Sequence, residues 1–90
     1  MTDRSRIDEL VQFPCDFEFK AFGPNGAIFP EAVRTAIDNL VPVPRDAIRI
    51  RSSAQSSYVC VSVLVRLHNA RQIEDIYAAL RRVEGLKYLL

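Results

Sequence analysis

The clearest signal along the chain is the alternation from Tyr58 to Leu67. Val59, Val61, Val63, Val65 and Leu67 hold one phase, while Tyr58, Cys60, Ser62, Leu64 and Arg66 hold the other. A period of two over ten residues with this β-branched content predicts a strand with one buried face. Asp16-Phe17-Glu18-Phe19-Lys20-Ala21-Phe22 alternates in the same way and predicts an earlier strand, with Phe17, Phe19 and Ala21 on one side. Ala47-Ile48-Arg49-Ile50-Arg51 predicts a third, with Ile48 and Ile50 inward. Between them the period changes. Val33, Ala36, Ile37 and Leu40 form a helical stripe after Pro30, which suits a first helical position, and Pro42 and Pro44 forbid continuation past Val41. A second stripe, Ile73, Ile76, Tyr77, Leu80 and Val83, follows Asn69 with Gln72 three residues on, the spacing of a capping box. Gly85 stops that helix, and Leu86 to Leu90 predicts a short last strand. Gly23-Pro24-Asn25-Gly26 is a turn, and Ser52 to Ser57 is a polar hairpin loop. Ile7, Leu10 and Val11, with Ser5 placed to cap and Pro14 to terminate, predict a short helix ahead of the first strand.

The order is β-α-β-β-α-β. Two right-handed crossovers sharing one four-stranded antiparallel sheet give an α+β ferredoxin-like sandwich, strand order 4-1-3-2, with both helices on one face. Residues 1–90 form one domain, with 1–12 as a helical extension, since 90 residues leave no room for a second fold. Both helices should cover Phe17, Phe19, Ile48, Ile50 and the odd-numbered valines. The same alternation assigns the uncovered face: Glu18, Lys20 and Phe22, then Arg49 and Arg51, then Tyr58, Cys60, Ser62, Leu64 and Arg66, then Lys87 and Leu89.

Composition narrows the functional classes. Twelve Lys and Arg against eleven Asp and Glu leave a net charge of +1, with 49% hydrophobic and 26% charged residues. A dedicated nucleic-acid binder carries a large basic excess and a membrane-surface module a basic cluster, so neither partner is expected. Met1 to Glu9 is polar with no apolar signal core, and the longest apolar stretch, Tyr58–Val65, is far short of the ~20 residues that span a bilayer. A cytoplasmic chain is expected. Two cysteines, Cys15 and Cys60, and one histidine, His68, do not reach the ligand count of a zinc site, and no metal or cofactor is expected. Cys15 falls on the helix face and Cys60 on the uncovered one, so a disulfide between them is not expected.

The chain is not expected to be an enzyme. A catalyst needs a nucleophile or base with an orienting partner. His68 stands alone at a strand end, and Cys60 lies in mid-strand, out of its reach unless His68 folds back. Asp8/Glu9 and Glu74/Asp75 are adjacent pairs on polar helix faces, where carboxylates are ordinarily solvated. Acylphosphatase-like chemistry on this fold needs an arginine in the loop after the first strand, and copper chaperones need a C-x-x-C there; Gly23 to Ala27 has neither. An RNA-recognition sheet stacks bases on mid-strand aromatics, whereas Phe22 and Tyr58 sit at strand ends and Tyr58 to Val63 lacks the consensus pattern.

Phe13-Pro14 before a Phe-rich strand, Ser52-Ser53, Tyr58 with Val61-Ser62-Val63, and Ile73-Glu74 through Tyr77 and Leu80 ahead of a short terminal strand together resemble the YbeD-like family of small bacterial proteins, a domain of unknown function. The resemblance covers nearly the whole chain and is most specific from Ser52 to Leu90. It implies a ferredoxin-like fold and likeness to ACT-type regulatory domains, such as the small-molecule-sensing domain of a serine-pathway dehydrogenase. The neighbourhood of family genes to lipoate-attachment genes suggests a link to lipoate metabolism. The family carries no established catalytic residues.

Two readings of function follow. In the first the chain is a regulatory module that senses a small metabolite. ACT-type domains bind ligand between the first strand and first helix, which places the candidate site at Phe22, Gly23, Asn25 and Gly26; glycine there permits close backbone approach, and a helix N-terminus follows. In the second it is an interaction adaptor or a homodimer. Arg49, Arg51, Tyr58, Leu64, Arg66 and Leu89 would then form a mixed apolar and arginine surface, a composition that interfaces favour, and the second and fourth strands would be pairing edges.

Overall fold

The computed structural model describes residues 12–52 and 57–90. Its elements are β1 (Cys15–Pro24), α1 (Ile28–Asp38), a 3-10 turn (Arg45–Ala47), β2 (Ile48–Ser52), β3 (Tyr58–Leu67), α2 (Ala70–Arg81) and β4 (Tyr88–Leu89). The strands form one antiparallel sheet in the order β2-β3-β1-β4, which is the ferredoxin-like order read from the other edge. The helix expected before Pro14 and the loop at 53–56 lie outside the described residues.

β1 and β3 make the centre of the sheet, in register from Cys15 opposite Leu67 to Pro24 opposite Tyr58. Directly opposed residues of an antiparallel pair share a face, so one register assigns both strands. Phe19 and Ala21 therefore stand with Val59, Val61, Val63, Val65 and Leu67, all buried beneath the helices. Phe29, Val33 and Ile37 of α1 and Ile73, Ile76 and Leu80 of α2 close the core from above. Phe17 is half-buried and joins Phe19 and Tyr77 in an aromatic cluster, with ring centroids 4.8 Å and 5.0 Å from Phe19.

Helix ends follow local chemistry. The Asn69 side chain accepts from the Gln72 N–H at 3.0 Å, and Gln72 Oε1 accepts from the His68 N–H, so the capping pair is made with one residue of offset. α2 ends at Arg81, short of the Val83 and Gly85 expected to complete and stop it: the Arg82 N–H is taken up by Ala79 O, and Gly85, at φ +92°, shapes the turn that follows. α1 begins two residues ahead of its expected start. Pro30 is its third residue, where a missing N–H is harmless because the first four have no intrahelical acceptor.

Three positions differ from the pattern-based expectation. Leu40 is exposed and Val41 is buried instead, because α1 ends at Asp38 and the chain then turns, with the Val43 N–H donating to Asp38 Oδ1 at 3.0 Å. Ile50 points to the helix side as expected but is 56% exposed, because β2 is an edge strand and α1 leaves an open cleft over it, with Arg34 on the far wall. Leu89 was expected on the uncovered face and is not there. It stands opposite Ala21 and packs against the core, while Tyr88 stands opposite Phe22 and takes the uncovered face. Alternation within five apolar-rich residues leaves the phase of so short a strand open, and its pairing with β1 sets it.

Candidate functional site

The uncovered face of the sheet is built in rows. Register places Arg49, Ser62 and Lys20 across one row and Arg51, Cys60 and Phe22 across the next. Leu90 continues the first through reciprocal backbone bonds with Lys20 at 2.8 and 3.2 Å, and Tyr88 continues the second. The middle strand contributes only the small side chains Cys60 and Ser62 to these rows. The larger neighbours on either side wall a trough of ≈ 390 Å³, with Arg49 and Arg51 on one side and Phe22 and Leu90 on the other.

Its charge is local rather than global. Glu18 lies 3.9 Å from Lys20, and Arg66 pairs with Asp16 at 3.4 Å on an adjoining row. Among the described residues Arg49 and Arg51 have no ion-pair partner. Around the trough the face presents large apolar groups: Leu64 is 47% exposed and Tyr88 61%. The Tyr88 and Phe22 rings are 5.9 Å apart, and the Lys87 ammonium lies 5.6 Å from the Tyr58 ring centroid. Of the residues expected to form an interaction surface, Arg49, Arg51, Tyr58, Leu64 and Arg66 share this face, and Leu89 does not. Tyr88 and Leu90 are members that sequence reading missed. Their signal, the pairing partner of β4, lies outside the local pattern.

The four residues of the candidate ligand loop are placed differently from one another. Phe22 directs its ring into the trough. Gly23 is buried against α1: a Cβ there would sit 2.5 Å from the Phe29 ring. The space beside this backbone is therefore taken by a core side chain. The Asn25 side chain accepts from the Gly26 N–H at 3.0 Å, and the Asn25 N–H donates to Ser57 O at 3.3 Å, which ties the turn to the start of β3. Gly26 takes φ +122° with open space where a Cβ would stand.

The groups weighed for chemistry are far apart. Cys60 and His68 are separated by eight residues of β3 and its end, about 26 Å at a rise of ~3.3 Å per residue. Cys15 and Cys60 are both free thiols, on opposite faces of the sheet. The Arg34 guanidinium, 2.6 Å from Glu31, holds that carboxyl below its usual range, and burial pushes the Tyr77 phenol up. No described helix is long and apolar enough to cross a membrane.

Comparison with known proteins places this geometry in a family. A UPF0250 protein of Idiomarina loihiensis is 32% identical over 87 residues, covering 97% of this chain and 98% of its own. A UPF0250 protein of Neisseria meningitidis is 31% identical over 94 residues, covering both chains in full. The solution structure of HP0495 from H. pylori has a TM-score of 0.70 at 10% identity, over 89% of this chain and 85% of that one, a likeness of fold. The model of a protein of unknown function, DUF493, matches residues 8–90. The YbeD-like resemblance is thereby borne out, and the chain belongs to the DUF493 family of small bacterial proteins of unknown function.

Proposed function

We propose that this protein is a non-catalytic regulatory module of the cytoplasm that works by binding another protein over the uncovered face of its sheet. The observation that carries the reading is the trough over Cys60 and Ser62, walled by Arg49 and Arg51 and flanked by exposed Leu64 and Tyr88. Aromatic and arginine side chains around an apolar centre are the composition that protein interfaces favour. Trimming the sheet centre to small residues leaves room for a side chain of the partner. The separation of Cys60 from His68 supports a role without catalysis. The filled space beside Gly23 favours a protein ligand on the sheet over a metabolite in the loop.

The link to lipoate metabolism suggested by the resemblance makes lipoyl-carrying domains the first partners to try. Labelled protein is titrated with such a domain and, separately, with pooled amino acids, lipoyl compounds and nucleotides. The expected result is amide shifts from the protein partner over Lys20, Phe22, Cys60, Ser62, Leu64 and Tyr88, removed by Leu64→Asp. Shifts from a small molecule alone, confined to Phe22–Ala27, would replace this reading with a metabolite sensor.

A further inference from the structure

We infer that the free edge of β2 docks an extended acidic segment of a partner protein, and not a second copy of this chain; the inference rests on the binding role proposed above and specifies its partner. β2 ends the sheet, and among the described residues no strand pairs with its outer edge, which can take one more. Its five residues present two different chemistries. Arg49 and Arg51 stand on the uncovered side, two residues apart and without an ion-pair partner among the described residues. Ile50 stands on the helix side, 56% exposed, at the mouth of a cleft that Val43, Ile48, Arg45 and the Glu31–Arg34 ion pair also line, so the cation left over there is Arg45. A strand added here would oppose the two arginines with alternate side chains and lay the intervening ones against Ile50. Carboxylates at those alternate positions make charge-assisted, two-pronged bonds to guanidinium, and apolar residues between them cover the isoleucine.

The same edge repels itself. With the two uncovered faces aligned, an antiparallel β2–β2 pair centred on Ile50 sets Arg49 against Arg51 of the copy twice. Centring it on Arg49 or on Arg51 sets that arginine against its own counterpart. Each aligned antiparallel register that pairs three or more of these residues thus places like charges directly opposite, which destabilises the ladder. The edge therefore rejects its own copy while remaining open to the opposite charge.

The test uses the labelled full chain with two synthetic hexapeptides, one alternating Glu and Val and one alternating Lys and Val. The Glu peptide is expected to shift the amides of 48–52, to bind about tenfold or more tightly than the Lys peptide, and to weaken as salt is raised. Arg49→Glu with Arg51→Glu, both exposed and outside the core, should reverse that preference. Diffusion measurements on the free chain should give a monomer. The inference is overturned by equal binding of the two peptides, by no shift at millimolar peptide, or by a dimer that protects the β2 amides. Shifts centred on Leu64 and Tyr88 and unmoved by the charge reversal would also remove it, while leaving the sheet-face reading standing. Edge binding with Leu64 and Tyr88 silent toward every whole-protein partner would do the reverse.

Discussion

Gly23→Ala tests whether this glycine serves the core. Its backbone is not in the left-handed region, so alanine meets no torsional obstacle, and any penalty comes from contact. The added methyl would lie 2.5 Å from Cε1 and Cζ of Phe29. Carbon pairs rest at about 3.5–4.0 Å, so ring or strand must give by about 1 Å or more. Phe29 is buried within the core cluster, so a shift of its ring displaces core neighbours. Overpacking of this kind costs about 1–3 kcal/mol, and about 2 kcal/mol is expected here. For a domain of this size that lowers Tm by roughly 8–16 °C. Phe29→Leu removes the clashing ring edge and by itself should cost about 1.5–2 kcal/mol in lost apolar contact. Independent effects would sum to about 4 kcal/mol, whereas relief of the clash should hold the double variant near 2, a coupling of about 1–2 kcal/mol. Urea unfolding of the four proteins followed by far-UV circular dichroism measures the cycle. A Gly23→Ala protein within about 0.5 kcal/mol of wild type, or the same penalty in both backgrounds, would refute the reasoning and free Gly23 for a ligand-facing role.

Leu89→Ala should destabilise the protein by about 1–2 kcal/mol, since Leu89 packs on the core, while Leu64→Ala on the uncovered face should stay within about 0.5; urea midpoints compare the two. Asn69→Ala should cost about 1 kcal/mol by leaving the Gln72 N–H without its acceptor, seen as a lower Tm and faster amide exchange in the first turn of α2. Burial raises the Tyr77 phenol above its ordinary 10.0, so between that value and the raised one the native state holds more protons than the unfolded chain. Stability relative to Tyr77→Phe should therefore fall as pH climbs past 10.0, and urea titrations of both proteins at pH 9 and above measure the difference.

Where an element was long and its neighbours lay on both sides, its sequence was sufficient. β3 spans the ten residues its alternation marked, and the phase of its valines carried over to β1 through the register. The Asn69 cap was legible because it acts within one turn of chain, whereas α2 ends at Arg81, four residues short of the glycine expected to stop it. The candidate face was legible for the same reason as β3: residues 58 to 66 sort by parity, and Arg49 and Arg51 follow their own strand. Ile50 shows the limit. Its side was correct, yet its exposure depends on how closely α1 packs over the edge strand, which no window of sequence contains. Gly23 shows another limit. Its turn-like context hid that its missing side chain is the space for a phenylalanine six residues away.

The sequence by itself determined the order of elements, the start of α2 that the Asn69 cap marks, and which parity of β3 faces the core, because each depends on propensity and period within one segment. Only the tertiary structure decided the rest. Pairing with β1 turned Leu89 inward and Tyr88 outward, the open cleft between α1 and the edge strand left Ile50 bare, and the close approach of Phe29 claimed the space beside Gly23. All three depend on where a second segment lies, and packing against a neighbour, not local preference, sets the energy of each choice.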